Sequence, residues 1–250
     1  MRFRGHRHAG DILECARLYR DEGADELVFY DITASPEHRV VAASWVGRVS
    51  RLLDIPFCVA GGIRSVADAE TVLTAGADKI SVNSPALEQP DLIDELALRF
   101  GSQCVVVGID SQRSAPDQPF SVYQYTGDPQ RMRWSGRLTL DWVREVQSRG
   151  AGEIVLNCIA SDGMRDGYDL EQCRTVRDVC QVPLVASGGA GAISHFIHVL
   201  TEARADAALA ASVFHTGLIR IGDLKRQLQT AGVPVRVSGG RAELAASRMA

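Results

Sequence analysis

No run in the 250-residue sequence approaches the about 18 consecutive apolar residues that a membrane span demands, and the basic segment after Met1 has no apolar signal core. A cytoplasmic protein with no membrane partner is expected. Cys-x-x-Cys is missing too. The six cysteines (Cys15, Cys58, Cys104, Cys158, Cys173 and Cys180) stand apart at predicted strand and helix positions, as small core residues do in a reducing compartment. There is no excess of positive charge: the net charge is −4, which argues against a nucleic-acid partner. His6 and His8 alternate near the start, but no carboxylate or cysteine accompanies them at metal-binding spacing, so no metal is expected. The turn Gly188-Gly189-Ala190-Gly191 runs on into Ala192-Ile193-Ser194, so the third glycine of a dinucleotide fingerprint is lacking, and no cofactor is expected.

What is present centres on that turn. Val182-Pro183-Leu184-Val185-Ala186-Ser187 reads as a buried parallel strand that opens at Gly188-Gly189 into the start of a helix. Small residues there let a ligand approach the free N–H groups of a helix N-terminus, where phosphate binds well; taken alone, a tight strand-to-helix turn explains them equally. A second copy shifts the balance. Ile55-Pro56-Phe57-Cys58-Val59-Ala60-Gly61-Gly62 repeats the pattern 127 residues earlier, and Gly23-Ala24-Asp25-Glu26 stands at the same offset from Gly150-Ala151-Gly152-Glu153. Ala77-Asp78 recurs as Ala205-Asp206 at an offset of 128. The chain therefore reads as two copies of one half, with two phosphate cradles on one face.

Strands predicted over 26–32, 56–60, 79–83, 104–110, 153–158, 183–187 and 207–211 alternate with helical patterns, which implies a parallel sheet covered by helices. The fold class is α/β, a (β/α)8 barrel built from two half-barrels. Seven strands are present, and the first-half counterpart of 104–110 would fall before Met1, so the first strand is expected to be absent from this chain. One domain over 1–237 is expected, with a tail over 238–250 to which no function is assigned. Segment 111–137 is too long for an ordinary connection, and Phe120-Ser121-Val122-Tyr123-Gln124-Tyr125 alternates like a hairpin strand.

Barrel enzymes use the C-terminal ends of their strands. Donor-rich or small ends suit one phosphate at Gly62, Asn83 and Ser84 and another at Gly163, Gly188, Gly189, Ala211 and Ser212. Asp31, Asp110 and Asp162 lie between. Capping the next helix explains Asp31 and Asp162 as well as substrate binding does. Asp110 ends the apolar run Val105-Val106-Val107-Gly108-Ile109 and is the acid/base candidate, since burial raises a carboxyl's proton affinity. At the opposite end Glu26, Lys79 and Glu153 begin even-numbered strands and share a layer across the barrel floor, as a structural ion-pair plug or as a polar gate.

Glu26-Leu27-Val28-Phe29-Tyr30-Asp31-Ile32-Thr33-Ala34-Ser35, Gly76-Ala77-Asp78-Lys79-Ile80-Ser81-Val82-Asn83, Asp162-Gly163 and Ala186-Ser187-Gly188-Gly189-Ala190-Gly191 resemble the cyclase subunits of imidazole glycerol phosphate synthase, over about residues 2–237. The resemblance implies an enzyme of histidine biosynthesis, a lyase. It joins ammonia to a bisphosphorylated ribulosylformimino aminoimidazole carboxamide ribonucleotide and releases imidazole glycerol phosphate and aminoimidazole carboxamide ribotide. It also implies a heterodimer in which a glutaminase subunit docks at the barrel floor, with Glu26, Lys79 and Glu153 as the ammonia gate. The family's other catalytic aspartate, on strand 1, and the lysine just after that strand have no counterpart here. The alternatives are the sister formimino ribotide isomerase, which needs no gate, and a non-catalytic docking barrel.

Overall fold

The computed structural model describes residues 10–31, 43–128 and 130–236; His6 and His8, motif residues 32–35 and the tail over 238–250 lie outside the described residues. The chain enters α1 (Ile12–Asp21), whose cap Asp11 accepts the amides of Leu13 and Glu14 at 2.8 and 3.3 Å. There follow β1 (Leu27–Tyr30), α2 (Ala43–Ser50), β2 (Phe57–Ala60), α3 (Val66–Thr74), β3 (Lys79–Val82), α4 (Ser84–Glu88), α5 (Asp91–Phe100) and β4 (Val105–Gln112). The insertion forms β5 (Ser121–Gln124) and β6 (Arg133–Leu138). The series resumes as α6 (Thr139–Ser148), β7 (Glu153–Cys158), α7 (Leu170–Arg177), β8 (Leu184–Ser187), α8 (Ile193–Thr201), β9 (Ala207–Leu209), α9 (Ser212–His215) and α10 (Ile221–Thr230).

Seven strands pair in parallel in the order β1-β2-β3-β4-β7-β8-β9, so each βα unit lies beside its sequence neighbour and β4 meets β7 where the two halves join. This is the curled parallel sheet of the (β/α)8 class. Among the described residues no strand covers the outer edges of β1 and β9. A cavity of about 550 Å³ runs along the β1 edge, bounded by α1, Trp45, Ala211 and His215.

Strand periodicity of two divides the core. Phe57, Val59, Ile80, Val105, Val107, Ile154, Leu156 and Leu184 face the helices, while Cys58, Val106 and Val155 pack inside the sheet's curl against Val28, Val185 and Leu209. The inward parity runs Lys79-Ser81 on β3 and on to Asn83 just past it, Val106-Gly108-Asp110 on β4 and Glu153-Val155-Asn157 on β7. Charged residues therefore open β3 and β7, and hydrogen-bonding ones close all three strands, on one face.

β5 pairs antiparallel with the end of β4, Asp110 opposite Tyr123, and forms the predicted hairpin strand. Its partner β6 escaped sequence reading because Arg133-Trp134-Ser135-Gly136-Arg137-Leu138 has four exposed members and no apolar alternation. Behind Asp110, the buried Ser111 hydroxyl lies 2.6 Å from that of Thr139 and accepts the Gln172 amide, tying β4 to α6 and α7.

Candidate active site

Asp110 sits at the inward C-terminal end of β4, 9% exposed. Its Oδ2 accepts Asn83 Nδ2 at 2.8 Å and the Thr126 hydroxyl at 2.5 Å, and its Oδ1 accepts Asn157 Nδ2 at 2.8 Å. Burial pushes the carboxyl up from its ordinary value, against the pull of the hydrogen bonds from Thr126, Asn157 and Asn83. Three donors fix the carboxylate plane, and the raised proton affinity suits a group that both takes and returns a proton near neutral pH. Asp162, in the turn after β7, is also pushed up, first by burial and then by the charge of Asp110, while the Gly163 amide opposes both.

The predicted phosphate-binding residues fall into two groups, separated across the sheet by β4. Gly62 lies buried just past β2. Asn83 spends its amide on Asp110, and the buried Ser84 hydroxyl accepts the Tyr125 amide at 3.1 Å. In the second group Gly163 is in the turn after β7, Gly188 and Gly189 follow β8, and Ala211 and Ser212 stand exposed at the start of α9. A Cβ on Gly189 would lie 2.0 Å from the Gly167 carbonyl oxygen, so close packing of the β7 and β8 turns already demands glycine there. The Gly191 and Ala192 amides donate to His195 Nδ1 at 3.1 and 3.2 Å, so a side chain of α8 itself occupies part of that helix N-terminus. Asp31 ends β1, its amide bonded to the Ala60 carbonyl at 2.8 Å.

At the other end of the sheet Lys79 Nζ lies 2.7 Å from both Glu26 Oε2 and Glu153 Oε2. The predicted floor cluster is thus brought together. Burial pushes the Glu26 carboxyl up despite Lys79, consistent with a buried Oε1 that has no hydrogen-bond partner among the described residues. For Lys79, burial works downward but the two carboxylates together outweigh it and raise its proton affinity. Among the described residues no group of three His, Cys, Asp or Glu is placed to hold a metal ion, and no helix is long and apolar enough to cross a membrane.

Asn157, Thr126 and His195 were not identified from the sequence. Asn157 stood in the predicted strand 153–158 with the inward parity of Glu153, a signal that a face-by-face reading of that strand carries. Nothing local marks Thr126 or His195.

The family model described as histidine biosynthesis protein matches residues 1–220. Imidazole glycerol phosphate synthase subunit HisF of Aeromonas hydrophila is 62% identical over 236 residues, 94% of this chain and 92% of that protein. The subunit of the same name from Citrobacter koseri is 60% identical over 237 residues, 95% of this chain and 92% of its own length, and that of Escherichia coli is 59% identical over the same shares.

Proposed function

The chain belongs to the histidine biosynthesis protein family, and from this we propose that it is the cyclase subunit of an imidazole glycerol phosphate synthase, a lyase with residues 1–237 as its single barrel domain. It takes ammonia from a partner glutaminase and converts the bisphosphorylated ribulosylformimino ribonucleotide into imidazole glycerol phosphate and aminoimidazole carboxamide ribotide. One observation carries the chemistry: a buried carboxylate, Asp110, held by three donors at the mouth of the sheet. Adding ammonia to a carbonyl, expelling water and closing an aromatic ring each move a proton, and Asp110 is placed to serve as the acid and base. Asp31 and Asp162 flank it as substrate-binding carboxylates. The two phosphates go to Gly62, Asn83 and Ser84 on one side and to Gly163, Gly188, Gly189, Ala211 and Ser212 on the other. Besides this, the Asn83 amide orients Asp110 and the Ser84 hydroxyl anchors the insertion.

The glutaminase docks at the floor, where the Glu26–Lys79–Glu153 cluster separates its surface from the interior. Ammonia passing that cluster must part an ion pair, which makes it a gate. The test is Asp110→Asn, which removes proton transfer without removing volume. Ammonia-dependent turnover should fall by about 100-fold or more while substrate binding, followed by calorimetry, stays within a few-fold. Turnover at the unsubstituted rate would remove Asp110 from the chemistry.

A further inference from the structure

We propose that Thr126, carried by the insertion after β4, is the positioning residue for Asp110: with the Asn83 amide it saturates Oδ2 and leaves Oδ1 as the oxygen that exchanges the proton. The inference rests on the reading of Asp110 as acid and base. A carboxylate oxygen offers two in-plane lone pairs. Oδ2 receives two donors, from Asn83 and Thr126, whereas Oδ1 receives one, from Asn157, and keeps a lone pair for substrate.

The insertion is built to make this contact. β5 runs back along β4 until Tyr123 stands opposite Asp110, the last pair of that ladder, and the strand ends one residue later at Gln124. Tyr125 then takes φ of +56°, a left-handed backbone that a bulky residue seldom adopts. Its amide is pinned by the Ser84 hydroxyl at 3.1 Å. The turn drops Thr126 into the site, where it is 8% exposed and its hydroxyl meets Oδ2.

The two carboxylate oxygens are held differently. With the exchanging proton on Oδ1, Oδ2 stays an acceptor, so the Thr126 hydroxyl and the Asn83 amide keep donating to it in either protonation state of Asp110, whereas Asn157 must share Oδ1 with that proton. The other titratable groups coupled to Asp110 are Asp162 and the Tyr30 phenol. Neither interaction passes through Thr126, so both are common to every variant at this position.

The test compares Thr126→Val, which keeps the shape and removes the donor, with Thr126→Ser, which keeps the donor; Thr126→Ala replaces the valine should that overfill the site. The Asp110 carboxyl is titrated by carbon NMR in the whole chain, its signal assigned by its loss in Asp110→Asn, and ammonia-dependent turnover is followed against pH. Removing a bond to the charged form raises proton affinity, so Thr126→Val should titrate about one pH unit higher, a tenfold change. The acidic limb of kcat should move with it, kcat should fall about tenfold with KM nearly unchanged, and Thr126→Ser should match threonine. An unshifted titration in Thr126→Val, or a Thr126→Ser protein that behaves like the valine variant, overturns the inference. Full turnover in Asp110→Asn would instead overturn the acid and base reading, while the titration still reports on Thr126.

Discussion

Replacing Lys79 by methionine tests whether the floor cluster is held by charge. Lys79 Nζ is 2.7 Å from an oxygen of each carboxylate, so those oxygens stand no more than about 5.4 Å apart once the cation is gone. Two unit charges at that spacing repel by roughly 3 kcal/mol at an effective dielectric constant of about 20. The side chains of Lys79, Glu26 and Glu153 are 20%, 28% and 16% exposed, so water screens part of this, and a loss of about 1.5–2 kcal/mol at pH 8 is expected.

The sign follows from linkage. The repulsion needs both carboxylates ionised, so the penalty is absent below the unfolded glutamate value of about 4.3 and grows as pH rises and the Glu26 carboxyl, already held up by burial, gives up its proton. Urea unfolding followed by tryptophan fluorescence should therefore show a clear gap between Lys79→Met and the unsubstituted chain at pH 8, closing as pH falls toward about 4.5. A gap of equal size at both ends of the range would mean that packing, and not charge, holds the floor, and no gap at pH 8 would mean that the cluster contributes nothing.

Two further outcomes are expected, both read by thermal denaturation. Ser111→Ala strands the Gln172 amide and the Thr139 hydroxyl in a fully buried site and should cost about 1–3 kcal/mol. Gly191→Ala should destabilise more than Gly163→Ala. The added Cβ at Gly191 would lie 1.9 Å from the Arg165 carbonyl oxygen, whereas at Gly163 it meets nothing within 4 Å and costs only the roughly 1–2 kcal/mol of a left-handed backbone at φ +74°.

Much of the architecture was legible because parallel strands are buried on both faces and so read as unbroken apolar runs. Phe57-Cys58-Val59-Ala60 and Val105-Val106-Val107 need no partner to be recognised. The repeat at 127 and 128 residues supplied the two halves, and the resemblance of the strand ends supplied the chemistry. Glu26, Lys79 and Glu153 were found because they open alternate strands of the sheet, β1, β3 and β7, and alternate strands share a layer. The polar strand β6 and the short helices α4 and α9 were not found, since none has an apolar period of its own.

The sequence by itself determined the order of the strands, the inward parity of their side chains and the residues at their two ends, because each depends on the period of one element. Only the tertiary structure decided how those ends are used. Asn83, Asp110, Thr126 and Asn157 come from four separate stretches, and they meet because β4 pairs with β7 at the register Asp110 to Asn157 while the insertion folds back along β4. His195 on the amides of Gly191 and Ala192, and Gly167 against Gly189, are likewise consequences of how neighbouring turns pack. Periodicity reports which face a side chain takes; which side chain it meets across that face depends on register and loop path, and these are set by contacts between residues far apart in the chain.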